Sequence, residues 1–232
     1  MFVLLLVAPG TGVAQTQHTW STGREVAITG TGAAWYGFSM WKAEQNRALS
    51  LPPLNYGRLP RIDRSATRNW SLGAHRASNV LFGVATAASL ATAVVNQHGE
   101  QPLLPVVIIM QSGLFSAGLT NTVKELVRRP RPYLYNTTVP SSLHHPGEDA
   151  VGFWSGHTAN MAAISFSCAH LVQRSNASPT LKTVTWIGAA LAPAAMAHLR
   201  VRAGRHFPTD VLTGYVVGAA VGFAVPYFHR SK

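Results

Sequence analysis

Three short clusters rich in lysine, arginine and histidine carry the chemistry that this sequence offers. They are KELVRRPRP starting at Lys124, FWSGHTAN starting at Phe153 and HLRVRAGRHFPTDVLTG starting at His198. Each cluster borders a long apolar run, where a permanent charge is costly unless it has a partner. Lysine and arginine can hold an anion, and histidine exchanges protons near neutral pH. The combination indicates a site that handles phosphate.

The cationic residues are predicted to form a cradle for a phosphoryl group. Lys124, Arg131 and Arg200 would surround the anion, and the planar fork of arginine pairs with two phosphate oxygens at once. Ser155 and Gly156 come at the predicted start of a helix, where backbone N–H groups favour an anion and glycine allows the backbone to approach closely. Taken alone, the basic residues could instead anchor a helix end at the lipid headgroups.

Two histidines and an aspartate are predicted to carry out the proton and nucleophilic chemistry. Pro208 predicts the start of the last helix, which places Asp210 in its first turn, within reach of His206. A carboxylate on one ring nitrogen would fix the tautomer and leave the other nitrogen free to attack. With His157 as an acid opposite the nucleophile and cations between them, the arrangement suits phosphoryl transfer.

We expect neither a metal ion nor another cofactor. The sequence has no cluster of carboxylates near these residues that could bind magnesium, so fixed cations would do a metal's electrostatic work. The adjacent His144 and His145 form a weak ligand set. The single Cys168 excludes an internal disulfide and a cysteine-rich metal site.

Six stretches free of Asp, Glu, Lys and Arg are the elements that must position the clusters. Most approach or exceed the roughly 17–25 residues that a spanning helix needs, and they lack the alternation of strands. The stretches are residues 26–41, 77–99, 101–123, 150–173, 183–199 and 211–229. The sequence therefore predicts an all-α fold, a helical membrane bundle. Because its mean hydropathy is modest, buried helices of a soluble all-α domain are the alternative.

The three clusters are expected on one face of this bundle. If each apolar run from the third onward crosses the membrane once, the third helix ends at this face, the fourth begins at it and the fifth returns to it.

Three parts of the chain are predicted. Residues 1–14 are a possible secretory signal or apolar N-terminal segment, residues 15–76 hold the first helix and a polar linker, and residues 77–229 form the catalytic core.

The net charge of +11, from 19 basic and 8 acidic residues, predicts an anionic partner such as phosphate, nucleic acid or a lipid headgroup. In a chain with so many apolar runs, a membrane lipid is the expected partner and nucleic acid is not.

The order and spacing of the clusters resemble the type 2 phosphatidic acid phosphatase superfamily, which includes bacterial acid phosphatases and vanadium haloperoxidases. Its first motif is lysine, six residues and Arg-Pro, matched here by Lys124 and Arg131. Its second is Pro-Ser-Gly-His, in which Trp154 replaces the proline. Its third is Ser-Arg, five residues, His, three residues and Asp, in which Leu199 replaces the serine. The two departures fall on non-catalytic positions, and the resemblance covers roughly residues 77–228.

The resemblance implies a six-helix core with a metal-free phosphatase site. His206 would be the nucleophile that forms a phosphohistidine, oriented by Asp210, and His157 would protonate the leaving oxygen. The phosphoryl oxygens would be held by Lys124, Arg131, Arg200, Ser155 and the Gly156 amide.

Membrane members of this superfamily act on lipid phosphates and diphosphates. The resemblance therefore implies phosphatidic acid, phosphatidylglycerol phosphate, undecaprenyl diphosphate or lipid A phosphate as the substrate. A vanadium-dependent haloperoxidase, with His206 as the vanadate ligand, and a non-catalytic protein that binds anionic lipid are the alternatives.

Features of the sequence disagree about the side of the membrane on which the site lies. Arginines between residues 58 and 76 join the site face, and the positive-inside rule would place that face in the cytoplasm. Six spans with a cytoplasmic N-terminus place the site outside, as do a cleaved signal and five spans. Only a cleaved signal with six spans places it inside. We expect a bacterial inner membrane with the site on its outer, periplasmic face.

Overall fold

The computed structural model describes residues 18, 20–47, 49–95, 101 and 103–230, so the possible signal segment at residues 1–14 lies outside the described residues. In the described part of the chain the regular elements are all helices, and the predicted all-α fold is confirmed. The helices are α1 Thr22–Asn46, α2 Leu72–Val95, α3 Leu104–Val127, the short α4 Pro146–Asp149, α5 Gly156–Gln173, α6 Pro179–Arg202 and α7 Pro208–Tyr227.

Four of the long helical stretches are long and apolar enough to cross a membrane. They are Leu72–Val95, Leu104–Tyr135, Pro179–Arg202 and Pro208–Tyr227. Helix α5 packs against α2, α3, α6 and α7 and is buried by them along most of its length. Because protein rather than lipid surrounds it, α5 tolerates polar residues such as Ser165 and His170. A membrane bundle, and not a soluble domain, accounts for this pattern.

Helices α1 and α5 bring the long helices of the described part of the chain to six. Helix α1 lies beside α3, and the two run in the same direction. At one end Gln111 donates a hydrogen bond to Glu25 (3.1 Å), and at the other Asn46 donates to Glu125 (2.8 Å). The helix has 25 residues, about 37 Å at 1.5 Å per residue. It therefore runs the depth of the bundle, although its apolar stretch, residues 26–41, is the shortest of the six in the sequence.

The predicted gathering of the three clusters at one end of the bundle is confirmed. The starts of α5 and α7 meet there, where the Ser155 N–H donates to the Asp210 carbonyl (3.1 Å). The end of α6 meets the start of α2 there, where Arg200 lies 3.0 Å from His75. Helix α2 begins at Leu72, before the apolar run, so the predicted division between residues 76 and 77 falls inside a helix.

The first and last long helices are joined at the opposite end of the bundle. Nε2 of His229 lies 2.9 Å from Oε2 of Glu25, and both side chains are buried. The start of α1 and the end of α7 therefore share the face opposite the clusters.

Helices α5 and α7 approach each other closely along glycines of α7. A Cβ atom added to Gly218 would lie 2.1 Å from the carbonyl oxygen of Ala159, which no side chain can occupy without moving a backbone. Close approach through small residues is the usual means of packing helices in lipid. This contact sets the position of the α7 start relative to α5.

We expect Gly218→Ala to destabilise the bundle by about 1–3 kcal/mol, the usual cost of overpacking. Gly188→Ala is the matched control, because a Cβ atom there would meet no atom within 4 Å. Thermal unfolding in detergent should show a lower melting temperature for Gly218→Ala and an unchanged or slightly higher one for Gly188→Ala. Equal melting temperatures for the two variants would contradict the close contact.

Candidate active site

A cavity of about 540 Å³ opens at the end of the bundle where the three clusters meet. Five of the eight predicted site residues line it: Lys124, Arg131, His157, Arg200 and His206. Five further residues that the sequence analysis did not predict also line it: His75, Asn79, His145, Glu148 and Arg205.

The arginines of the cavity are buried and carry donors without partners. Arg131 and Arg200 are 5% and 3% exposed. Nη1 of Arg131 and Nε of Arg200 and Arg205 have no hydrogen-bond partner within the described residues. A buried donor left without a partner costs about 1–3 kcal/mol. Three such donors around one cavity indicate a site built for an anion with several oxygens.

The charge of the cavity favours the same kind of ligand. Lysine and arginine supply four of its lining side chains, Lys124, Arg131, Arg200 and Arg205. Glu148 is the one acid among the described lining residues. Oε2 of Glu148 lies 3.7 Å from Nη2 of Arg131 and 3.7 Å from Nη1 of Arg205, and the side chain is 59% exposed. The carboxylate therefore sits at the open side of the cavity and leaves an excess of positive charge inside.

Ser155 and Gly156 lie at the start of α5, as predicted, but neither is among the residues that line the cavity. The Ser155 hydroxyl is buried and lies 3.0 Å from the hydroxyl of Thr158. A Cβ atom on Gly156 would lie 3.7 Å from Nζ of Lys124, so the helix start lies beside the lysine ammonium. Glycine at this position keeps that approach open.

His206 is buried in the short segment between α6 and α7, and a backbone carbonyl fixes its ring. Nδ1 donates to the Gly152 carbonyl oxygen at 2.8 Å, so the ring carries its proton on Nδ1 and Nε2 has the free electron pair. Burial is the main cause that lowers the pKa of His206 well below its usual range, and the nearby charges of Arg131 and Arg200 act in the same direction. The ring is therefore neutral at physiological pH, the form with a free electron pair on Nε2.

The expected hydrogen bond between Asp210 and His206 is not present. Oδ2 of Asp210 lies 3.9 Å from Nδ1 of His206 and accepts instead from the Phe207 N–H at 2.8 Å. The reason is helix capping: α7 begins at Pro208, as predicted, and Asp210 in its first turn satisfies an N–H that the helix leaves without a partner. The other oxygen, Oδ1, accepts from Arg129.

Arg129 links Asp210 to a second buried carboxylate, Asp63. Nη2 of Arg129 donates to Asp63 at 2.7 Å, and Asp63 also accepts from the N–H and hydroxyl of Thr209, at 3.0 and 2.7 Å. The guanidinium lies over the Phe207 ring, 4.2 Å from its centre. This network joins three parts of the chain: Asp63 in the connection between α1 and α2, Arg129 in the segment after α3, and the start of α7, which directly follows the segment that holds His206.

His157 faces α2 across the cavity. Its Nε2 lies 3.1 Å from Oδ1 of Asn79, and its ring makes an edge contact with Phe82 at 5.6 Å between centres. Arg200 makes a similar contact with α2, since its Nη1 donates to Nδ1 of His75.

Some of the unpredicted residues had a signal in the sequence, and others had none. His75 and Asn79 are four residues apart at the polar start of an apolar run, a spacing that places them on one helix face. Arg205 directly precedes His206. Asp63 lies in a polar linker without any pattern that relates it to the site, so the sequence could not have identified it.

The side chains assembled here can hold an oxyanion and present a neutral imidazole to it. Within the described part of the chain, no group of three His, Cys, Asp or Glu side chains is placed to hold a metal ion.

Comparison with known proteins agrees with the fold and the motifs. The family model of the PAP2 superfamily matches residues 104–232. The fold is similar to the crystal structure described as the first transmembrane PAP2-type phosphatidylglycerolphosphate phosphatase from Bacillus subtilis. The two sequences are 21% identical, the match covers 85% of this chain and 94% of that one, and the TM-score is 0.51. None of the curated proteins compared with the chain matches it. The chain, a multi-pass membrane protein, therefore belongs to the PAP2 superfamily.

Proposed function

We propose that the protein is a metal-independent phosphatase that hydrolyses lipid phosphates or diphosphates through a phosphohistidine on His206. The observation that carries the proposal is the convergence of buried arginine donors without partners around a neutral, buried imidazole. Membership of the PAP2 superfamily and the phosphatase among similar structures support it.

In the first step, the electron pair on Nε2 of His206 attacks phosphorus, and the bond to the leaving oxygen breaks. His157, in its protonated form, gives a proton to that oxygen. The Nδ1–H bond to the Gly152 carbonyl keeps the reacting nitrogen in place and accommodates the positive charge that develops on the ring. Lys124, Arg131 and Arg200 stabilise the charge on the phosphoryl oxygens.

In the second step, water attacks the phosphohistidine and the P–N bond breaks. His157, now neutral, takes a proton from the water, and the products are inorganic phosphate and free His206. The fixed cations would supply the electrostatic stabilisation for which other phosphoryl-transfer enzymes use magnesium.

The position of the cavity supports a lipid substrate. It opens at the end of a membrane bundle, where a lipid can present its headgroup while its chains stay in the bilayer. Phosphatidic acid, phosphatidylglycerol phosphate, undecaprenyl diphosphate and lipid A phosphate all have the required terminal phosphate. The name of the similar Bacillus subtilis enzyme makes phosphatidylglycerol phosphate the first to assay.

We also propose that the cavity faces the outer side of a bacterial inner membrane. Since α1 lies beside α3 and runs in the same direction, the start of α1 lies opposite the cavity. If the start of α1 lies in the cytoplasm, the cavity, at the opposite end of the six long helices, faces the exterior.

The function is tested by phosphate release from this panel of lipids in detergent micelles. We expect activity that survives EDTA, is inhibited by vanadate and disappears in His206→Ala together with the acid-labile phosphoenzyme. The control is His198→Ala, because His198 belongs to the same cluster and does not line the cavity. Activity that is lost in EDTA and restored by magnesium would reject the metal-independent mechanism, and an active His206→Ala would reject the nucleophile.

The role of Asp210 is tested against Asp63, since both carboxylates are buried and both bind Arg129. We expect Asp210 to position His206 indirectly, so Asp210→Asn and Asp63→Asn should both lower the melting temperature. Both should form phosphoenzyme in a single turnover within about tenfold of wild type, a barrier change of about 1.4 kcal/mol. A loss near 10⁴-fold, of the order seen when a protease triad loses its aspartate, in Asp210→Asn alone would show direct orientation of His206.

The side of the membrane is tested with two cysteines in a Cys168→Ala background, because Cys168 is buried and is the chain's single cysteine. Ser142 is exposed in the loop over the cavity, and Asn176 is exposed in the connection between α5 and α6 at the other face. In intact cells a membrane-impermeant maleimide should label Ser142→Cys and leave Asn176→Cys unlabelled. The reverse pattern would place the cavity in the cytoplasm.

A further inference from the structure

One face of α2 supplies polar side chains to the cavity, and it lies outside the three motifs and outside the matched residues 104–232. His75, Ser78 and Asn79 recur at the spacing of a helix face. His75 and Ser78 contact Arg200, and Asn79 contacts His157. The proposed function gives a role to both Arg200 and His157. Beyond Asn79, α2 is mostly apolar and carries no charged residue, and it is exposed at positions such as Val80, which is 66% exposed.

The first contact of this face fixes Arg200. Its Nη1 donates to Nδ1 of His75 at 3.0 Å and to the hydroxyl of Ser78 at 3.2 Å. The Ser78 hydroxyl in turn donates to the His75 carbonyl at 2.7 Å, so its own direction is set by the helix. Because a guanidinium can only donate, His75 accepts on Nδ1 and carries its proton on Nε2. Both bonds act on one end of the guanidinium and leave Nε for a ligand.

The second contact fixes His157. Oδ1 of Asn79 lies 3.1 Å from Nε2 of His157, and an amide oxygen can only accept, so this nitrogen carries a proton. The edge contact with Phe82, one turn further along α2, holds the plane of the ring. A single helix face thus determines the orientation of both the imidazole and the guanidinium.

We infer that α2 provides two positioning residues for the reaction, Asn79 for the proton donor His157 and His75 for the phosphate-binding Arg200. The inference rests on the proposed function. It differs from a general structural role for α2, because each residue should affect a different part of the reaction.

The test compares two soluble substrates, dodecyl phosphate, whose alkoxide leaving group needs a proton, and 4-nitrophenyl phosphate, whose leaving group does not. Asn79→Leu keeps the size of the side chain and removes the acceptor. We expect it to slow phosphoenzyme formation from dodecyl phosphate by about 10–100-fold, part of the roughly 10²–10⁴-fold that a general acid contributes. With 4-nitrophenyl phosphate the rate should stay within about threefold, because no proton transfer is needed.

His75→Leu should act on binding instead. We expect it to raise KM for both substrates and the vanadate concentration for half inhibition by about 10–100-fold, as for loss of a hydrogen bond to a charged group. His75→Asn places an oxygen near the position of Nδ1 and should restore KM to within about threefold of wild type. Val80→Ala, on the lipid side of the same helix, is the control and should match wild type.

Equal losses on both substrates in Asn79→Leu, or a failure of His75→Asn to restore KM, would overturn the inference in favour of a structural role. A melting temperature measured without ligand and compared with wild type shows whether each variant folds, and Asn79→Ala replaces Asn79→Leu if the latter does not. An inactive wild-type protein would instead reject the proposed function, so the two failures are distinguishable.

Discussion

Repulsion among buried cations is the constraint on which the rest of this structure depends. Lys124, Arg131, Arg200 and Arg205 line one cavity, and Glu148, at its open side, is the one carboxylate among the lining residues that the structure describes. At an effective dielectric constant near 20, two like charges 4 Å apart repel by about 4 kcal/mol. These basic side chains stay close together only if a rigid backbone carries them and if hydrogen bonds to other groups hold their orientation. The helix ends around the cavity meet that need, and an oxyanion bound there would reduce the repulsion.

The rigid attachment comes from a bundle with polar interior contacts and very close backbone packing. Helix α5, enclosed by its neighbours, is the element against which the others are placed. Its contact with α7 along glycines brings the helix starts at Ser155 and Asp210 within a backbone hydrogen bond. The two buried carboxylates Asp63 and Asp210 then both pair with Arg129, which does not line the cavity. Carboxylates are thus concentrated around Arg129, and an excess of basic side chains is left in the cavity.

The sequence predicted the parts of this arrangement that depend on local pattern. Apolar runs predicted the bundle, Pro208 predicted the start of α7, and parity predicted a shared face for the three clusters. Long-range partners could not be predicted. Whether His206 bonds to Asp210 or to a carbonyl depends on how the segment around Gly152 folds back over the ring, which no spacing encodes. Helix α1 gave a weak signal because charged residues at its two ends shorten the apolar run, yet Glu25 is buried and paired.

The pair formed by Glu25 and His229 has a consequence for how the chain is made. These residues are 204 positions apart, so all of the helices between them must be synthesised before the imidazole can reach the carboxylate. Contacts between α1 and α3, among them those of Gln111 and Thr122, can form earlier. A chain cut before residue 229 would therefore keep the contacts between α1 and α3 but lack the one that joins its first long helix to the end of α7.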